Sequence, residues 1–131
     1  MEIGRFLFDE IIAHLKSVYP LEGCGLLAGR DGRVQGHYPI DNRLKSVTAF
    51  EMEPAQLIAA FMDFEGMGQH LLAVYHSHPN GPAFPSSSDI AQANYPEAVQ
   101  IIFSLAELSE PAYGAFWVVD GRVWPVNLTV V

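Results

Sequence analysis

Apolar side chains recur at Phe8, Ile11, Ile12, Leu15, Val18 and Tyr19, a spacing of i, i+3, i+4, i+7, i+10 and i+11. That period predicts an amphipathic helix, closed by Pro20 because the residue before a proline is pushed out of helical backbone. His14 and Lys16 fall off the stripe and are expected to face solvent. Gly23 to Gly29 then reads as a strand, Asp31-Gly32 as a hairpin turn and Arg33 to Ile40 as the partner strand. Asp41-Asn42-Arg43 is turn chemistry, and Val47 to Met52 is a further strand candidate. Glu53-Pro54 opens a second helix, whose Leu57, Ile58, Phe61 and Phe64 suit packing on a sheet, and Gly66 and Gly68 end it.

The run Leu71-Leu72-Ala73-Val74-Tyr75 is apolar without alternation, as in a strand covered on both faces. After it come His76-Ser77-His78 and then Pro79 to Pro85, with three prolines and a glycine in seven residues, which must loop. A short helix enters at Ser86 and stops at Tyr95-Pro96. Ala98 to Leu105 is another apolar strand, and Tyr113 to Val119 with Arg122 to Val131 makes a second hairpin around Asp120-Gly121. The order is helix, three strands, helix, strand, short helix, three strands. It predicts an α/β (α+β) domain spanning 1-131, with a curved mixed β-sheet flanked by two main helices plus a short one.

Composition narrows the setting. Half of the 131 residues are hydrophobic, yet no stretch approaches eighteen consecutive apolar residues, so no membrane span is expected. The start, Met1-Glu2-Ile3-Gly4-Arg5, lacks a signal-peptide pattern, and a cytoplasmic location is the default expectation. Cys24 is the single cysteine; it cannot form an internal disulfide and fits a buried strand position. Seven basic residues against fifteen acidic ones give a formal charge of −8, which excludes nucleic acid as a natural partner. The oligomeric state is not encoded in any of these features.

The candidate chemistry sits at the end of the apolar strand. His76 and His78, at i and i+2, point to one side of a strand. The proline-rich loop can return Asp89, in the first turn of the short helix, to the same place. Two imidazole nitrogens and one carboxylate oxygen are a catalytic zinc set with the fourth position left for water. The competing reading is that Ser86-x-x-Asp89 forms only a capping box and that the histidines make ordinary hydrogen bonds. Hydrolysis would also need a general base. Glu2, Glu10, Glu22, Glu51, Glu53 and Glu65 all lie upstream, and spacing does not choose among them. Glu22 stands out only because apolar neighbours would desolvate it and raise its pKa.

His76-Ser77-His78-Pro79, a ten-residue gap and Asp89, with Pro85-Ser86 inside the gap, resembles the JAMM (MPN+) family of zinc metalloproteases. Tyr19 to Gly29 resembles that family's glutamate-bearing segment, and the similarity continues through Asn42, Phe50 and Pro54 to Ile101 to Leu105, as in small prokaryotic members. The resemblance implies a cytidine-deaminase-like fold and one Zn²⁺ per chain on His76, His78 and Asp89. It implies Glu22 as the general base and Ser86 as the oxyanion donor, a role in conflict with capping. It implies hydrolysis of an amide after the C-terminal Gly-Gly of a ubiquitin-like or sulfur-carrier protein. The alternatives are release of cysteine from a sulfur-carrier–cysteine adduct and a non-catalytic MPN-type scaffold; a zinc deaminase is set aside for want of Pro-Cys-x-x-Cys. Tyr75 and Ser77 are expected to be structural, His37 and His70 to be ordinary polar residues, and Phe116, Trp117 and Trp124 to be core.

Overall fold

Eight strands and three helices follow one another along the chain. The computed structural model describes residues 1–131 as β1 (Glu2–Ile3), α1 (Arg5–Val18), β2 (Cys24–Arg30), β3 (Arg33–Ile40), α2 (Pro54–Gly66), β4 (His70–His78), α3 (Ser87–Ala91), β5 (Val99–Ser104), β6 (Ala112–Val119), β7 (Arg122–Pro125) and β8 (Thr129–Val130). All strands join one sheet in the order β7-β6-β5-β4-β2-β3-β1-β8. The β4–β5 pairing is parallel, as are both pairings of β1, and the rest are antiparallel. This is the mixed sheet with two main helices and a short one that the pattern predicts. No helix is long and apolar enough to cross a membrane.

The two sheet faces carry separate cores. On one, α1 lays Phe8, Ile11 and Leu15 against Leu27, Ala73, Tyr75, Ile101 and Phe103. On the other, α2 lays Ala60 and Phe64 against Cys24, Leu26, Ile40 and Val74. Central β4 is covered on both sides, which is why its sequence shows no alternation. At roughly 1.5–3 kcal/mol for each fully buried large side chain, these two layers fix β4 firmly enough to carry a costly polar end. Cys24 is wholly buried, its thiol directed at the Ile40 carbonyl 3.4 Å away, and burial pushes its pKa up to about 12.

Three expectations need correction, and one strand, β1, adds to those expected. Val47 to Met52 is not a strand; only an isolated Asn42–Met52 bridge forms there. The Asn42 side chain bonds Leu44 N–H, Glu51 N–H and the Ala49 carbonyl, so local side-chain partners replace a ladder. Arg122 to Val131 is two strands, because Pro125 has no N–H for a ladder and the chain crosses to pair β8 with β1 at the far edge. Two-residue β1 is too short to show a period. Trp117 and Trp124, paired across β6 and β7, are 36% and 54% exposed, since the sheet end carries them past α1; Phe116 is buried as expected.

Candidate metal centre

The polar end of β4 points His76 and His78 away from α1, on the face shared by Val74. Antiparallel register sets Cys24 opposite His76, so the preceding Gly23 and Glu22 lie opposite Ser77 and His78. Ser77 faces the other way and fixes that register twice. Its Oγ accepts from Gly23 N–H at 2.9 Å, and its own N–H donates to the Gly23 carbonyl at 3.0 Å. Gly23 is needed here, because a Cβ would stand 2.7 Å from a Leu15 methyl and 2.8 Å from a Val18 methyl. The seryl residue between the histidines therefore ties Glu22 to their strand.

The loop after β4 is held rather than free. Ser104 Oγ donates to the Gly81 carbonyl at 2.6 Å, His78 Nδ1 donates to the Pro82 carbonyl at 2.8 Å, and Pro85 is buried. Ser86 caps α3: its Oγ accepts from Asp89 N–H at 3.1 Å, and Asp89 Oδ2 accepts from Ser86 N–H at 2.9 Å. That same Oδ2 stands 3.2 Å from His76 Nε2 and 3.0 Å from His78 Nε2, and the two Nε2 atoms are 3.1 Å apart. Capping box and three-residue cluster are thus one arrangement. The conflict foreseen for Ser86 also dissolves, because the cap uses a lone pair of its hydroxyl and leaves the O–H hydrogen free to donate.

This donor set fits a tetrahedral divalent ion. Ligand atoms at about 2.0–2.1 Å from zinc stand about 3.3 Å from one another, close to the separations here. The tautomers agree. A carbonyl only accepts, so His78 Nδ1 carries the proton, and in neutral imidazole its Nε2 turns a lone pair toward an anionic carboxylate. A cation between them removes that repulsion, and in the metal-free protein a proton on His78 Nε2, donated to Asp89 Oδ2, does the same. His76 is stacked against Phe50, with ring centroids 4.6 Å apart, and its Nδ1 has no partner.

The electrostatics divide the carboxylates. Burial pushes the Asp89 carboxyl up, but the bonds to His76, His78 and Ser86 N–H outweigh it and hold Asp89 well below the usual range. Burial lowers His76, while for His78 the bonds to Asp89 and Pro82 overcome burial and raise it. Glu22 is 4% exposed, and its Oε1 has no hydrogen-bond partner. Burial pushes its pKa up to about 7, with His78 and Asp89 both within electrostatic reach. A buried carboxyl that is half-protonated near neutrality and within electrostatic reach of His78 and Asp89 is poised to exchange a proton.

Two residues gain roles that spacing did not give them. The loop from Asn42 to Glu51 clamps Glu22 at both backbone groups: Glu22 N–H donates to the Ser46 carbonyl at 2.8 Å, and Asn42 Nδ2 donates to the Glu22 carbonyl at 3.0 Å. The same loop delivers Phe50 to His76. It also walls a cleft of about 490 Å³ that His76 and Asp89 open into, lined further by Leu57, Tyr95 and Gln100. Asn42 reads as turn chemistry in sequence, and nothing local reveals its reach across twenty residues.

Residues 5–120 match the family model of prokaryotic homologs of the JAB domain. The chain belongs to that family. This JAB domain is 29% identical over 126 residues to the CysO-cysteine peptidase of Mycobacterium tuberculosis, covering 93% of this chain and 86% of that protein. It is 44% identical over 94 residues to a probable TtuB-protein conjugate cleaving protease of Thermus thermophilus, covering 71% and 63%. Protein DSY2949 of Desulfitobacterium hafniense shares its fold with a TM-score of 0.90 and 33% identity, over 100% of this chain and 93% of that one. The JAB1/MPN domain protein AF2198 of Archaeoglobus fulgidus shares the fold at a TM-score of 0.66 and 22% identity, over 100% and 97%. The JAMM/MPN fold implied by the sequence is the one observed.

Proposed function

We propose that this JAB domain, acting as one unit over residues 1–131, is a zinc-dependent peptidase. It hydrolyses the amide that follows the C-terminal Gly-Gly of a ubiquitin-like or sulfur-carrier protein. The observation that carries the reading is the mutual spacing of His76 Nε2, His78 Nε2 and Asp89 Oδ2, 3.0–3.2 Å, beside a buried carboxylate oxygen with no partner. The relatives named for cleaving CysO–cysteine and TtuB–protein conjugates support the choice of substrate. The negative charge of −8 and the buried, reduced Cys24 suit a cytoplasmic protein acting on other proteins.

One Zn²⁺ per chain would be held by His76, His78 and Asp89 and would supply Lewis acidity toward a carbonyl and toward water. The rest is done by the chain. Glu22 Oε1 takes a proton from the attacking water and returns it to the leaving amine, which a pKa of about 7 allows in both directions. Ser86 offers its hydroxyl hydrogen to the developing oxyanion while its lone pair keeps α3 capped. The cleft beside His76 and Asp89 receives the tail: Gln92, Asn94 and Gln100 bond its peptide groups, while Leu44, Met52 and Leu57 cover its apolar positions.

The test is incubation of zinc-loaded protein with a panel of ubiquitin-like and sulfur-carrier proteins fused through Gly-Gly to a peptide or to free cysteine, scored by mass spectrometry. Cleavage directly after Gly-Gly is expected, and it stops when zinc is stripped. No cleavage of any fusion by fully zinc-loaded protein refutes the reading. Cleavage confined to the cysteine adduct narrows the enzyme to cysteine release.

A further inference from the structure

The helix α2 is apolar on more than its buried side. Its sequence from Pro54 to Gly66, PAQLIAAFMDFEG, holds no lysine or arginine, and Ala60 and Phe64 face the core. Yet Ile58 is 60% exposed and Met62 72% exposed, among the most exposed large hydrophobics of the chain. A helix apolar around most of its circumference is normally covered. Pro54, Ile58 and Met62 are spaced i, i+4, i+8, so they form one stripe along the helix. Its first member, Pro54, lines the cleft that opens onto His76 and Asp89, as does the neighbouring Leu57. The uncovered stripe therefore starts in the wall of the substrate cleft and runs outward from it.

Charge says what covers the stripe. Exposed Glu65 sits beside Met62 at i+3, and no cation on the helix neutralises it. Glu53 is committed to capping Ala55 and Gln56, and Asp63 to the Tyr38 hydroxyl. A second copy of this chain would bring another acidic surface, from another molecule of charge −8, against Glu65. A partner with an apolar patch flanked by lysine or arginine has no such penalty.

We propose that the Pro54–Ile58–Met62 stripe with Glu65 is the docking surface for the globular body of the carrier protein whose tail enters the cleft, an assignment that rests on the peptidase reading above. The occupant's patch lies next to its own C-terminal tail, because the stripe is continuous with the cleft. Tail and body are thus held by two separate surfaces of the same helix.

The test uses two probes for each carrier of the panel: the full-length carrier joined through its Gly-Gly to aminomethylcoumarin, and the last six residues of that carrier on the same fluorophore. Ile58→Asp/Met62→Asp is expected to raise KM for the full-length carrier about tenfold or more, with kcat unchanged. The same variant leaves kcat/KM for the peptide unchanged. Glu65→Lys raises KM for the carrier less, and weakens its dependence on salt. Ile58→Ala/Met62→Ala, which keeps good helix formers, gives a smaller rise in the same direction and guards against a folding artefact.

Equal kinetics of wild type and variants on the carrier overturn the proposal, as does an equal loss on both probes. If wild type cleaves the peptide but no full-length carrier, docking fails while the site reading stands. If it cleaves neither, the site reading fails and docking with it. A dimer in analytical ultracentrifugation that the double-aspartate variant disperses would assign the stripe to a second copy and likewise overturn the proposal.

Discussion

Neighbouring residues of β4 feed two polar clusters on opposite sheet faces, and each cluster contains two imidazoles. On the α1 face, the Tyr75 hydroxyl lies 2.7 Å from His14 Nδ1 and 2.7 Å from His37 Nε2. One hydroxyl donates once and accepts once, so the two imidazoles satisfy it, and the second nitrogen of His37, Nδ1, lies 3.6 Å from Glu10 Oε1. Gly25, opposite Tyr75 in β2, leaves the ring its space, since a Cβ there would fall on the ring itself. On the other face, His76, His78 and Asp89 set lone pairs toward one point, and Glu22 Oε1 and His76 Nδ1 lack partners. Histidine pairs alone therefore do not mark a metal site. What separates the two clusters is closure: one is complete within the protein and the other is incomplete until something binds.

That contrast breaks most sharply on Glu22 and Tyr75. Glu22→Gln, which retains the ligand set, is expected to lower kcat by about 10²–10⁴-fold with zinc content unchanged by elemental analysis. It should also stabilise the zinc-free protein by about 1 kcal/mol in thermal denaturation at pH 8, since a buried unpaired charge is removed. Tyr75→Phe should do the reverse. It leaves kcat near wild type and costs about 1–3 kcal/mol of stability, because His14 and His37 lose their shared partner in a part-buried setting. Full activity in Glu22→Gln, or a large kcat loss in Tyr75→Phe, would erase the distinction.

Asn42→Ala is the next smaller effect. It frees the Glu22 carbonyl and the loop that holds Phe50 on His76. About a tenfold fall in kcat is expected while zinc stoichiometry holds, because a small misplacement of a base is costly.

The two faces also differ in their response to pH. Burial lowers the pKa of both His14 and His37, so the folded protein binds fewer protons than the unfolded chain near their ordinary value of 6.5. Stability from this cluster is therefore complete above that value and is lost as pH falls below it. Urea midpoints measured from pH 8 to pH 5 should fall, and the fall should shrink in His14→Phe/His37→Phe. Glu22 acts on rate as well as on folding. As pH drops through about 7 it is protonated and cannot serve as base, so kcat/KM falls on the acid side.

The site was more legible in the sequence than the closed cluster, for a physical reason. His76, His78 and Asp89 lie within fourteen residues, and strand alternation plus a forced loop is enough to converge them. His14, His37 and Tyr75 come from three distant elements, and His14, expected in solvent, is half-buried because Tyr75 reaches it through the space above Gly25. Glu22 needed the family resemblance, since six carboxylates were open, but its desolvation is visible in the apolar neighbours that flank it. Asn42 was legible as a turn residue and as part of the family resemblance, but its bonds to Glu22 and Ala49 depend on the tertiary path. In the fold, helices and long strands followed their periods, whereas two-residue β1 and β8 depend on tertiary pairing, β1 lying between β3 and β8 at the sheet edge.

The central claim is that the cluster on β4 and α3 holds a metal and the Tyr75 cluster does not. Chelator-stripped protein titrated with zinc by calorimetry tests it directly. One equivalent should bind to wild type, to Glu22→Gln and to His14→Phe/His37→Phe, and none with comparable affinity to His76→Ala or Asp89→Ala. Wild type that takes up no zinc, or uptake that survives His76→Ala and disappears in His14→Phe/His37→Phe, would contradict it.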